Sequence, residues 1–183
     1  MQKLCGIDEA GRGPLAGDLV IAGCILHKEI EDLNDSKKLT AKKRETLYEL
    51  IIQNAEYHIV KFSAEEIDNH GISHCLQSGL IQIIENMPTD NFLFDGNTTF
   101  GVKNLVTMVK ADGKIAEVSA ASILAKVTHD RDILQEAKKY PEYQFEKHKG
   151  YGTKLHIEMI KKYGYCPIHR RSYKVKALAK TLF

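Results

Sequence analysis

The chain has 183 residues, a formal net charge of +2, 43% hydrophobic residues and no tryptophan, a length that suits one domain able to bury most of its surface without a disulfide or a structural metal. Its four cysteines, Cys5, Cys24, Cys75 and Cys166, are far apart with no C-x-x-C pair, and no apolar run approaches the roughly 20 residues of a membrane span. A disulfide scaffold and a transmembrane helix are thereby excluded, and the absence of a basic-then-apolar leader points to a reduced, cytoplasmic protein.

In chain order, Leu4 to Ile7 is a short apolar run that reads as a buried strand, and Leu19 to Leu26 is a second. Thr40 to Gln53 has helical periodicity, with Leu47, Leu50 and Ile51 on one side, and Tyr57 to Phe62 returns to strand. Ser63-Ala-Glu-Glu66 is a capping box that opens another helical stretch, which Gly71 is expected to break in two. Phe92 to Phe94 and Leu105 to Val109 complete five strands. Val118 to Lys139 and Lys154 to Tyr163 are helix-favouring, and a turn over Gly164 to Pro167 leads into a short basic C-terminal helix. The order implies an α/β fold: one mixed sheet flanked by helices, in a single domain over 1–183 with a helical C-terminal extension. Charge follows the same division. Residues 138–183 carry twelve Lys or Arg against three Glu, while residues 1–137 carry fourteen basic against twenty-one acidic groups. A basic segment interleaved with Tyr143, Tyr151, Tyr163, Tyr165 and Tyr173 suits a polyanion such as nucleic acid, although a solvated helical face would have a similar composition.

Three of the strands end in acid: Ile7-Asp8-Glu9, Leu93-Phe94-Asp95-Gly96 and Val109-Lys110-Ala111-Asp112-Gly113. Strand ends are where α/β sheets place their sites, and the glycines that follow let the backbone turn and leave the carboxylates projecting. A lone acid of this kind is ordinarily a cap or turn residue; the recurrence argues that Asp8, Glu9, Asp95 and Asp112 converge. Converging carboxylates repel one another and take up protons unless divalent cations neutralise them, and hard oxygen ligands suit Mg²⁺ or Mn²⁺. Neighbours on a strand face opposite ways, so Asp8 and Glu9 reach one site only if the strand stops at Asp8 or the site lies at its tip.

Gly11-Arg12-Gly13-Pro14 offers backbone N–H groups and a guanidinium for phosphate or carboxylate, but it matches neither G-x-G-x-x-G nor the Walker pattern, so no nucleotide cofactor is expected. Asp35-Ser36-Lys37-Lys38 at a helix start is a candidate phosphate site. His70 and His74 are four apart, yet Gly71 interrupts them and no glutamate completes a zinc-protease pattern. Ser119, Ser122, Thr128 and His129 beside Asp130 lack a G-x-S-x-G context, so capping is expected of them and not a nucleophilic triad.

GIDEAGRGPLAG at 6–17, DSKKL at 35–39, FDGN at 94–97, VKADGK at 109–114, SAASILAKVTHDRD at 119–132, KGYGTKLH at 149–156 and a closing PIHRRSY span nearly the whole chain. Together they resemble the type 2 ribonuclease H family, most closely its bacterial ribonuclease HII branch. The resemblance implies the ribonuclease H fold, hydrolysis of the RNA strand of RNA/DNA hybrids, and incision 5′ to single ribonucleotides in duplex DNA. It also implies that Asp8, Glu9, Asp95 and Asp112 are catalytic and hold two Mn²⁺ or Mg²⁺ ions, with Asp8 bridging, in a two-metal reaction that leaves 3′-hydroxyl and 5′-phosphate ends. Asp130 is the alternative fourth acid; Asp112 is preferred because Asp130 falls inside a long helix. By the same resemblance Gly11, Arg12 and Gly13 sense the ribose 2′-hydroxyl, Tyr151 packs on the nucleotide after the ribonucleotide, Lys37 and Lys38 hold phosphates, and the basic C-terminal region holds the DNA strand. His129 stands where many members have arginine, which makes any charge pairing with Asp130 pH-dependent. A start directly at the first strand fits the HII branch and not HIII, and a monomer without membrane association is expected. The competing readings are another two-metal nuclease and a non-catalytic nucleic-acid-binding module.

Overall fold

The computed structural model describes residues 3–33 and 39–178. Five strands form one sheet: β1 (Cys5–Ala10), β2 (Leu19–Leu26), β3 (Ala55–Phe62), β4 (Phe92–Asp95) and β5 (Leu105–Met108), in the spatial order β3-β2-β1-β4-β5. The β3-β2-β1 half is an antiparallel meander, whereas β4 and β5 run parallel to β1. Parallel pairing needs crossovers, and α2 (Ala64–His70) with α3 (Ile72–Asn86) supplies the one between the meander and β4.

Side chains alternate across β2 and divide the core. Leu19, Ile21 and Ile25 face Leu76, Leu80 and Ile83 of α3. Val20, Ala22 and Cys24 face Leu47 and Ile51 of α1 (Ala41–Asn54) and the alanine-rich first half of α4 (Ala116–Lys139). Small residues let α4 lie close to the sheet: a Cβ on Gly6 would sit 2.3 Å from the backbone of Glu117 and Val118, so only glycine fits there. A third cluster, with Ile133 and Phe145 at its centre, joins the far end of α4 to α5 (Phe145–His148), α6 (Lys154–Tyr163) and the segment that follows.

The five strands, the Ser63–Glu66 capping box and the break at Gly71 all form where the residues point to them. Four expectations need correction. Leu50 is 41% exposed, because the inner side of α1 is made by buried Leu47 and Ile51 with Tyr48 and Ile52 packed beside them. The stretch after Met108 leaves the sheet, and Asp112 sits in a single 3-10 turn over Ala111–Gly113 entered through a left-handed Lys110, not at a strand end. Tyr143 is buried against Phe145 and His169, with its hydroxyl donating to the carbonyl of Gly164, so it is core and not a nucleic-acid contact. The short basic helix expected after Pro167 does not form within the described residues. Ile168 to Tyr173 instead run as a strap of turns whose backbone groups bond to other parts of the chain.

Candidate active site

The β1–β4 ladder ends at Ile7↔Phe94, whereas β1 stays paired to β2 as far as Ala10↔Val20. Beyond Ile7 the two parallel strands therefore part, and the fork opens between Asp8-Glu9 on one side and Asp95 on the other. The cleft there is lined by Asp8, Glu9, Gly11 to Gly13, Asp95, Ser122 and Tyr151, with Arg44 and Lys126 at its edge.

Each acid is placed by a different device. Asp8 faces α4, accepts from the backbone N–H of Glu9 at 2.8 Å and accepts from the Ser122 hydroxyl. Asp95 ends β4 and receives the N–H groups of Lys110 at 3.0 Å and Asp112 at 3.2 Å, so its carboxylate organises the turn that carries Asp112. The carbonyl of Asp112 accepts from Ser119 Oγ on α4, which ties the turn to the helix. As a result Asp8, Asp95 and Asp112 each present a carboxylate oxygen, all within 4.8 Å of one another. Glu9 leaves the strand from the opposite face and is not in that group. Its Oε1 lies 3.8 Å from Arg12 Nη1, and its Oε2 is buried with no hydrogen-bond partner. The strand does not stop at Asp8; the splaying of β4 away from β1 is what brings these neighbours to one cleft.

Burial raises Asp8 well above the usual carboxylate range, and the charges of Glu9 and Asp95 push the same way. Burial also raises Glu9, against the pull of Arg12, and raises Asp95, where the charge of Asp112 adds to it. Crowded, desolvated carboxylates with an orphaned oxygen are an unsatisfied set, and a hard divalent cation relieves both repulsion and desolvation. The donor set fits such an ion. Asp130 is elsewhere: it pairs with Lys126 Nζ at 2.8 Å and His129 Nδ1 at 3.2 Å, and these partners outweigh its burial and hold it below the usual range. Among the described residues no other group of three His, Cys, Asp or Glu side chains is spaced to hold a metal ion, and His70 and His74 only bring their rings to 5.5 Å.

The Gly11 to Gly13 loop forms a second wall. Gly11 has φ +84, and a Cβ there would lie 2.4 Å from the carbonyl oxygen of Asp18 and 2.6 Å from the His129 ring. Tyr151 reaches the same loop because the 15–17 segment is stitched to it. Leu15 N–H donates to Gly150 at 2.8 Å, Gly17 N–H to Ile168 at 2.9 Å, and Arg170 N–H back to Leu15 at 2.8 Å. The Tyr151 ring is 42% exposed, with Lys126 Nζ 5.8 Å from its centroid.

Behind Tyr151 lies a buried histidine chain. Cys166 N–H donates to His169 Nδ1, so the proton of that ring is on Nε2, which donates to His156 Nε2 at 3.0 Å; His156 Nδ1–H then donates to the Tyr151 carbonyl at 3.0 Å. Burial lowers both rings to about 4 and keeps them neutral.

Lys37 and Lys38 lie outside the described residues. Arg44, Ser122 and Lys126 were not assigned to the site from sequence; Ser122 and Lys126, four apart on α4, share a helix face, a signal that gains meaning only once that face is known to meet β1.

The ribonuclease HII family model matches residues 5–176 of this chain. A protein named Ribonuclease HII from Sulfurovum sp. is 65% identical over 183 residues, covering 100% of this chain and 97% of that protein. Another from Aliarcobacter butzleri is 56% identical over 182 residues, covering 98% and 95%. Among solved structures, the RNase HII of Archaeoglobus fulgidus, in a complex with PCNA, superposes with a TM-score of 0.83 at 28% identity, covering 95% of this chain and 96% of that one. The ribonuclease H2 of Pyrococcus horikoshii superposes with a TM-score of 0.79 at 31% identity, covering 98% and 96%. The fold is therefore ribonuclease H-like.

Proposed function

This chain belongs to the ribonuclease HII family, a group of metal-dependent ribonuclease H hydrolases, and from that premise we propose that it cuts the RNA strand of RNA/DNA hybrids and incises 5′ to single ribonucleotides in duplex DNA. The observation that supports this most is the trio Asp8, Asp95 and Asp112 at the fork of β1 and β4, with Glu9 beside it.

These four acids are the catalytic set of the proposal and would hold divalent cations, Mn²⁺ or Mg²⁺, two in the working complex. When bound, such ions lower the pKa of the attacking water and neutralise charge on the reacting phosphate, which leaves 3′-hydroxyl and 5′-phosphate ends. The chain's own groups select and hold the strand. Gly11, Arg12 and Gly13 offer backbone N–H groups, with no side chain at either glycine to obstruct them, a suitable wall for a ribose 2′-hydroxyl, the group that separates RNA from DNA. Tyr151, exposed at the cleft edge, offers an aromatic face to the nucleotide that follows. Arg12, Arg44 and Lys126 set positive charge around the acids, as a polyanion requires, and Lys37 and Lys38 are proposed to add phosphate contacts. A monomer is proposed as the working unit. Among the described residues no helix is long and apolar enough to cross a membrane.

The test is cleavage of three end-labelled duplexes with Mn²⁺ or Mg²⁺: all DNA, DNA with one ribonucleotide, and an RNA/DNA hybrid. The proposal expects incision 5′ to the lone ribonucleotide, cutting of the hybrid and an untouched all-DNA duplex. Cutting of all-DNA would favour a general two-metal nuclease, and binding without cutting would favour a non-catalytic module. Tyr151→Ala is expected to slow the single-ribonucleotide substrate more than the hybrid, and equal losses would remove Tyr151 from that role.

A further inference from the structure

Arg170 is 1% exposed, among the largest fully buried side chains, and it makes no ion pair among the described residues. A buried guanidinium is costly unless its donors are satisfied, and here the partners are almost all backbone carbonyls of one loop. Nη2 donates to Gly11 O at 2.6 Å and to Gly17 O at 2.8 Å. Nε donates to Gly17 O at 3.0 Å, and Nη1 to Arg12 O at 3.3 Å and to the Tyr173 hydroxyl at 3.2 Å. Tyr173 in turn donates its hydroxyl proton to Arg12 O at 2.8 Å. The strap that carries both side chains is itself held down, because the Asp68 carboxylate accepts from Arg171 N–H at 2.8 Å and Ser172 N–H at 2.9 Å.

A trans peptide is planar, with its C=O and N–H on opposite sides. Drawing the carbonyls of Gly11 and Arg12 inward to Arg170 therefore turns the N–H groups of Arg12 and Gly13 the other way, toward the cleft that these residues line. We infer that Arg170, steadied by Tyr173, is a positioning residue for ribose recognition: it aims the two amide donors of the Gly11 to Gly13 loop at the 2′-hydroxyl of the scissile nucleotide. Its hydrogen bonds go to the loop carbonyls and Tyr173 and to none of the acids. The inference rests on the proposed role of that loop, and it makes specificity depend on a residue about 160 positions away. Lysine at this position keeps the charge but lacks the planar fork needed to span three carbonyls.

The test measures affinity by fluorescence anisotropy, in Ca²⁺ to suppress turnover, for two duplexes that differ only in one ribonucleotide. The wild type is expected to prefer the ribonucleotide-containing duplex. Arg170→Lys should cut that preference by about tenfold, the loss of one or two aimed hydrogen bonds, and leave all-DNA affinity and cooperative melting in place. Tyr173→Phe should move the preference the same way by about twofold to threefold, and it decides the matter if Arg170→Lys does not fold. A folded variant that keeps the wild-type preference overturns the inference and leaves the loop's role standing. A parallel loss on both duplexes reduces Arg170 to a structural residue and also overturns it. A wild type without any preference refutes the role of the loop itself.

Discussion

Asp8 is buried and repelled by Glu9 and Asp95, while the Glu9 amide and the Ser122 hydroxyl bond its carboxylate and offset part of this. Replacing it with asparagine removes a desolvated charge and keeps an oxygen for the Glu9 N–H. In the absence of metal, Asp8→Asn should therefore melt at or above the wild-type temperature, while hybrid cleavage with Mn²⁺ falls by at least about a hundredfold. Melting curves in chelator beside cleavage rates check both halves, and a large loss of stability with activity intact would contradict them. The two loop glycines should separate as cleanly. Gly11 has φ +84 and no room for a Cβ, whereas the nearest side-chain atom to a Cβ on Gly13 is Tyr151 Cε1 at 4.0 Å. Gly11→Ala should cost about 2 kcal/mol or more in chemical denaturation and Gly13→Ala less than about 0.5 kcal/mol; similar losses at both would mean that the loop relaxes in a way its packing does not suggest.

At the level of elements, the histidine chain linking α5, α6 and the strap has a pH signature. His156 and His169 titrate near 4 in the fold against an ordinary value of 6.5, because burial disfavours their charged forms, helped by the charge of His148 at His156 and by that of His156 at His169. His148, also lowered by burial, stacks on His156 at 4.3 Å; Tyr143 and Cys166 face the same chain with both groups neutral. The unfolded chain binds more protons than the fold between about 6.5 and 4, so this contribution is complete above 6.5 and is lost as pH falls through the window. The loss is of order 2 kcal/mol per ring, a drop of about ten degrees in melting temperature between pH 7 and 4.5. His169→Gln, which can keep the bond to His156, should flatten that slope, and an unchanged slope would place the sensitivity elsewhere.

For the whole molecule, most of the sheet and helices were legible because short apolar runs, a capping box and Gly71 act locally. Asp8, Glu9, Asp95 and Asp112 stood out for the same reason: apolar residues running into acid and then glycine is a local pattern. What sequence reading missed depends on long-range closure. The fork between β1 and β4 follows from where two ladders end, and the Leu47–Ile51 stripe excludes Leu50 only once α4 is docked. The strap is the clearest case: Lys and Arg around positions 170–176 read as a basic helix, yet Arg170 points inward to carbonyls at positions 11, 12 and 17, and Asp68 binds the backbone beside it. Those partners are too distant in sequence for any periodicity to reveal.

The central claim is that the fork of β1 and β4 is a divalent metal centre built on Asp8, Asp95 and Asp112, with Glu9 beside them and Asp130 apart. Calorimetric titration of Mn²⁺ into the wild type, Asp8→Asn and Asp130→Asn tests it most directly. The account predicts saturable binding to the wild type and to Asp130→Asn, and its loss in Asp8→Asn. Wild-type binding by Asp8→Asn, or loss of binding in Asp130→Asn alone, would contradict it.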